Sequence, residues 1–423
     1  MDNYRAAILY ELQYVQFPQS ARKDYASNWE KVSKTITDSD DFGRQLSYTK
    51  FFEEIVEGLG IDSGTDMERM ARVFGHLQQR MHWDGYRGYA TDKGVRKAYE
   101  VKSGNAADSN LLLIGLLREA GIKAHPMLVS TRDHGVPLFP TLQGFNYVIA
   151  GVALDGKTIL LDATNKYTRP GLVPKRALNW QGTLLEEGGG ISGVNLIPQK
   201  PSQEICMLGI NILPNGEVVG KERRPLKDYK ALEFRASNSG LGEDDYLQQL
   251  EGNYGGMEVQ NYSVRNKEEN DKPLVENFEF ARQKPVLMAG NRMLVSPLFH
   301  HTLTENPFKL EKREYPIDFA YPWAQKYMVN IKIPERYRIT SVPTNTLLKL
   351  EQDMGHFSYR IQTQGPRKVQ LLVELMINEA VIPAVYYPMV KEIYRKIIEK
   401  ESEKVVLTKI LEDEHTERAT GGG

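Results

Sequence analysis

Residues 102–122 read Lys-Ser-Gly-Asn-Ala-Ala-Asp-Ser-Asn-Leu-Leu-Leu-Ile-Gly-Leu-Leu-Arg-Glu-Ala-Gly-Ile. Apolar residues from Leu111 to Leu117 cover most sides of a helical wheel, which predicts a helix buried all round. The run is far shorter than the ~20 residues a membrane-spanning helix needs. Asn105 and Asp108 precede it with the spacing of side chains that satisfy a helix's free N–H groups. The same polar groups at a helix N-terminus could instead hold a ligand. Gly121 falls where a left-handed helix-ending residue is expected.

Upstream, three further helices are expected. Ser27 is a candidate cap for a short amphipathic helix carrying Trp29, Val32 and Ile36. A second runs through Leu46 to Leu59. Thr65 caps a third, with Met70, Val73, Phe74, Leu77 and Met81 on one face. Downstream, three strands are expected at 124–131, 145–154 and 158–162. Leu154-Asp155-Gly156-Lys157 turns the last two into a hairpin. Helices followed by an antiparallel sheet define an α+β class for residues 18–190.

Gly188-Gly189-Gly190 predicts a boundary. Beyond it, residues 195–423 alternate as strands of a mostly β, sandwich-like domain. Pro214-Asn215-Gly216-Glu217 marks a hairpin. Strands are expected at 257–267, 274–282, 326–333, 337–341, 346–350, 356–362 and 367–377, with helices at 230–252 and 384–402. At the other end, Asn3 to Phe17 reads as a strand with no earlier partner. Residues 1–17 are therefore expected to be the remnant of an upstream β domain in a trimmed chain.

Composition narrows the classes. The 423 residues carry 54 Lys+Arg against 55 Asp+Glu, a net charge of -1, so nothing argues for nucleic acid. Cys206 is the one cysteine, so an intramolecular disulfide is impossible and a zinc site built on cysteines is excluded. His300-His301 reads as a surface pair, because neighbours on a strand point to opposite faces. The sequence leads us to expect no cofactor and no metal.

A cysteine acyl-transfer site needs a nucleophile at a helix N-terminus, where the dipole lowers its pKa. It needs a histidine on a neighbouring strand and a carboxylate on the next to orient that histidine. Gly104-Asn105-Ala106-Ala107-Asp108 opens the buried helix. Leu116 to Pro126, then Leu128-Val129-Ser130-Thr131-Arg132, Phe145-Asn146-Tyr147-Val148 and Leu161-Asp162-Ala163-Thr164 follow in order. Over about residues 64–175 these five segments resemble transglutaminase-like (papain-type) domains. There Gly-Asp-Cys, Phe-Asn-His and Leu-Asp-Ala-Thr carry the triad. Asn306-Pro307-Phe308, Arg313 to Phe319 and Ile333 to Tyr337 extend the resemblance to bacterial proteins that join a domain of unknown function, this core and a β-rich tail.

The resemblance puts Ala106 at the nucleophile, Tyr147 at the histidine and Asp162 at the carboxylate. Alanine carries no nucleophile, and a phenol of pKa about 10 is a poor base at neutral pH. The triad is degenerate, and a catalytically inactive module is expected. As such families imply, it would lie in the periplasm or be secreted, and would bind a peptide or glycan or act as a scaffold. Trp83, Asn105, Asp108 and Asn146 are candidates to line the former groove. Tyr147 either lines that groove with its hydroxyl or fills the space of the lost histidine, and Asp162 either orients a partner or caps the turn at Thr164. The alternative is a hydrolase or peptidase with a rewired site, using Ser103 or Ser109 with His125 or His134.

Overall fold

The computed structural model describes residues 10–24, 28–61, 63–186 and 189–410. It is a mixed α+β chain with two compact units, Met1–Ile197 and Pro198–Gly423.

In the first unit the Ala106–Glu119 helix is the hub, and every residue from Ala106 to Leu117 is buried. Its polar start is closed by a capping box: Asn105 Oδ1 accepts from the Asp108 N–H and the Asp108 carboxylate accepts from the Asn105 N–H. Gly121 adopts φ +75° just past its end. The neighbouring Thr49–Leu59 helix comes so near that a β-carbon on Gly115 would sit 2.3 Å from the Phe52 ring. Thr65 and Glu68 form a second capping box for the Asp66–Arg80 helix, which buries Met70, Val73, Phe74 and Leu77. For the Trp29–Thr37 helix the cap is Asn28, whose side chain accepts from the Lys31 N–H at 2.8 Å. The Ser27 expected there lies outside the described residues.

These helices share a core with a five-stranded antiparallel sheet. Its order is Lys157–Leu161, Tyr147–Leu154, Ala124–Val129, Gln181–Leu185, Ile191–Asn195. Asp155 (φ +49°) and Gly156 (φ +71°) make the tight turn of its hairpin. The glycine run is not the division between units. Its Gly190 accepts through its carbonyl from the Glu186 N–H in the turn joining the last two strands. Those strands carry Gly182 and Gly193, which weakens their sequence signal. Among the described residues 10–17, only Tyr14–Val15 is a strand, and it pairs with Lys23–Asp24. The rest of the long strand expected from Asn3 is not found over residues 10–17, and Asn3 to Leu9 lie outside the described residues.

The second unit is β-rich. Eight strands form one sheet in the order Glu258–Arg265, Leu274–Arg282, Val218–Leu226, Ser202–Ile212, Trp323–Lys332, Lys368–Ile377, Gly355–Thr363, Thr346–Lys349. Four more, Leu287–Ala289, Arg292–Val295, Val405–Lys409 and Tyr337–Ser341, form another. Both sheets bury one core, with Leu208, Val329, Phe357 and Val373 from the first and Met293, Val295 and Leu407 from the second. The pairing of Ser202–Asn211 with Trp323–Lys332 is parallel, unlike its neighbours. The single helix expected over 230–252 is two, Tyr229–Ser237 and Glu243–Asn253. The break holds Gly240 and Gly242, each of which disfavours helix by ~1 kcal/mol. The last helix is Tyr387–Ser402.

Candidate functional site

The fold brings Ala106, Tyr147 and Asp162 onto the elements expected for them, and all three are buried. Ala106 is the first residue of the hub helix, and its N–H donates to the Tyr86 carbonyl at 3.2 Å. Tyr147 begins the strand laid across that helix. Asp162 directly follows the hairpin strand Lys157–Leu161.

Tyr147 Oη donates to Asp162 Oδ2 at 2.8 Å and lies 2.8 Å from Thr164 Oγ1. Thr164 Oγ1 donates to Asp162 Oδ1 at 2.6 Å, and the Thr164 N–H to the same oxygen at 2.9 Å. Arg176 completes the network. Its Nε and Nη2 donate to Tyr147 Oη at 3.1 and 2.9 Å, and Nη2 also donates to Thr164 Oγ1. Each hydroxyl owns one proton. Both protons face the carboxylate, and both oxygens receive the guanidinium. Burial, followed by the charge of Asp162, pushes the phenol far up from its usual value, so Tyr147 stays protonated. It serves here as a hydrogen-bond donor and has no capacity as a base.

Arg176 also covers the site. Its guanidinium stacks 4.1 Å from the Trp83 ring centroid, and Trp83 Nε1 donates to the Tyr86 carbonyl at 2.8 Å. Asn110, within the buried helix, fastens the helix to both strands. Its Nδ2 donates to the Val148 carbonyl at 2.9 Å and to Asp162 Oδ1 at 3.3 Å, and its Oδ1 accepts from the Ala163 N–H at 2.8 Å. The sequence reading passed over Asn110 and Arg176, and it named Thr164 only as the turn that Asp162 could cap, a contact the Thr164 N–H makes to Asp162 Oδ1. A lone amide inside an apolar run was the available signal for Asn110. Arg176 lies in a short 3-10 turn, Lys175–Ala177, that carries no motif.

The other groove candidates serve the backbone. Asn105 Nδ2 donates to the Ala90 carbonyl at 2.9 Å. Asp108 accepts from the Gly94 N–H at 2.9 Å in addition to its capping role. Asn146 Oδ1 accepts from the Thr131 N–H and its Nδ2 donates to Thr131 Oγ1, both at 2.8 Å. For the rewired alternative, His134 Nδ1 pairs with Ser130 Oγ at 3.0 Å, a serine the alternative did not use. Ser109 Oγ is buried with no hydrogen-bond partner among the described residues.

The pair His300-His301 departs from expectation. It lies in a 3-10 turn, Phe299–His301, instead of a strand, and both side chains are buried. Phe299 sits at φ +52°, which re-aims the two residues after it. As a result both imidazoles reach one carboxylate. His300 Nε2 is 2.9 Å from Glu222 Oε2, and His301 Nε2 is 3.1 Å from both oxygens.

Comparison with known proteins gives a family match within the second unit and a likeness of fold over most of the chain. Residues 291–407 match DUF3858, described as a domain of unknown function with a solved structure. No curated protein matches the chain by sequence. Among solved structures, the chain is similar to one from Parabacteroides distasonis described as a "putative protease", with TM-score 0.52 and 11% identity. The alignment covers 95% of this chain and 63% of the other, so this chain spans less than two thirds of that protein's length. The likeness is one of fold.

Proposed function

We propose that this chain is a catalytically inactive, transglutaminase-like protein whose first unit is a scaffold. The observation that carries the reading is the Tyr147 hydroxyl. It is held at once by Asp162 and by both Arg176 donors, where the resemblance calls for a free imidazole. Ala106 opens the helix with no nucleophile, and loss of the nucleophile alone removes nearly all covalent catalysis. Trp83, Asn105, Asp108 and Asn146 are engaged in internal hydrogen bonds or stacking. That favours scaffolding over capture of a peptide or glycan in the former groove. The resemblance assigns such chains to the periplasm or the cell exterior in bacteria, and we carry that location as part of the proposal.

The test is a panel of amidase, peptidase and acyl-transfer substrates with the purified chain. Background rates throughout support the reading. Turnover that disappears in Asp162→Ala would overturn it. Fractionation of the native host tests the location.

A further inference from the structure

A second polar centre lies wholly within the β-rich unit, apart from the degenerate triad. Cys206, Glu222 and His301 each offer one ligand atom, and these atoms all lie within 4.8 Å of one another. The geometry points to a zinc-type metal site formed by these three side chains.

The donor set is the first argument. One thiolate, one imidazole and one carboxylate are the ligand types that tetrahedral Zn²⁺ takes, at about 2.0–2.3 Å each. Such bond lengths put neighbouring ligand atoms ~3.3–3.7 Å apart. The observed 3.1 Å from His301 Nε2 to the Glu222 oxygens needs only a few tenths of an ångström of spreading. A small fourth ligand such as water would complete the shell.

Charge is the second argument. The same buried cluster holds three carboxylates, Glu204, Glu222 and Glu276, with side chains 14%, 0% and 0% exposed. Against them stand Arg224, paired with Glu276 and 3.7 Å from Glu204, and Lys230, 3.9 Å from Glu204. Neither of these cations pairs with Glu222, whose partners are the His300 and His301 imidazoles, and a dication would set a full positive charge against it.

The third argument is the surrounding construction. His300 Nε2 already holds the second face of Glu222, as an outer partner does in metal sites. Its Nδ1 is buried with no hydrogen-bond partner among the described residues. Tyr254 and Tyr327 rings lie 5.3 and 4.9 Å from the His301 ring and fix its plane. The His301 side chain is 7% exposed, against 0% for Glu222. On binding, the thiol proton leaves to solvent. His301 keeps one proton, moved from Nε2 to Nδ1, so that Nε2 can bind the cation.

The site is tested on the full chain, chelator-stripped and free of any histidine tag, by titration with Co²⁺ and then Zn²⁺. The expected result is one equivalent of Co²⁺ producing a near-ultraviolet thiolate-to-cobalt absorption and visible tetrahedral bands, which Zn²⁺ abolishes. Cys206→Ser should remove the thiolate absorption. His301→Asn should weaken binding at least as much as the ~10–100-fold lost with outer-shell partners. Circular dichroism checks that both variants fold. The wild-type spectrum decides the matter even if they do not. Absence of any thiolate-to-cobalt band in the wild-type chain would overturn the proposal, as would equal Zn²⁺ affinity in the wild type and a folded Cys206→Ser/His301→Asn double variant.

Discussion

Tyr147 donates its phenolic proton to Asp162 Oδ2 across 2.8 Å, in a space closed to solvent. Two positions to which the resemblance gives catalytic roles are therefore tied into a structural link. Removing the hydroxyl with Tyr147→Phe leaves a buried carboxylate oxygen and two guanidinium donors short of a partner. A buried group left unpaired costs ~1–3 kcal/mol. Urea denaturation should show a lower midpoint with an unchanged slope, the midpoint shift multiplied by the slope giving that loss.

Arg176 and Tyr147 should be energetically coupled. Arg176→Met removes the donors and the stack on Trp83 while keeping much of the side-chain length. The double variant with Tyr147→Phe should lose less than the two single losses added together. Contacting residues show coupling of ~0.5–3 kcal/mol in such cycles. Strict additivity would mean the two groups do not share a network.

The frame was readable because its periodicity is strong. The buried helix announced itself through Leu111 to Leu117 between Asn105 and Gly121, and the Asp155-Gly156 turn located the hairpin. Strand edges in the β-rich half, such as Tyr337–Ser341, followed from alternation. What stayed hidden depends on distance in sequence. Arg176 meets Tyr147 from 29 residues away, and no local pattern records the meeting. His300 and His301 were assigned to opposite faces because a strand was assumed. The left-handed Phe299 that turns them together has no glycine to signal it. Gly190, from the run read as a boundary, lies in the turn of a short hairpin, since glycine serves both purposes equally well.

The close approach of helices in the first unit can be probed directly. Gly115→Ala would place a methyl against the buried Phe52 ring, which must move. Overpacking of this kind costs ~1–3 kcal/mol, despite the better helix propensity of alanine. Thermal melts should show a lower Tm. A higher Tm would mean the ring relaxes freely.

Glu401, buried on the last helix, gives the β-rich unit a defined pH response. Burial raises its pKa from 4.5 to about 7, although the Leu303 N–H, 2.7 Å away, favours the charged form. The folded state therefore holds the proton more tightly than the unfolded state. Stability from this group is full below pH 4.5, declines as pH rises through about 7, and is constant above. At ~1.4 kcal/mol per pK unit the loss is on the order of 3 kcal/mol. Glu401→Gln should stabilise the chain at pH 8 and leave it little changed at pH 4.5, as read from unfolding midpoints at the two pH values.

The most direct measurement is made on Ala106→Cys alone, following turnover of peptide amide and acyl-transfer substrates and alkylation of the new thiol. A cysteine at 106 would be buried, and Tyr147, at the position the resemblance gives to the base, cannot accept its proton. The account predicts no turnover and no alkylation beyond the wild-type background set by Cys206, with Tyr147→His as the least further change that could supply a base. Turnover in Ala106→Cys with Tyr147 intact would contradict it.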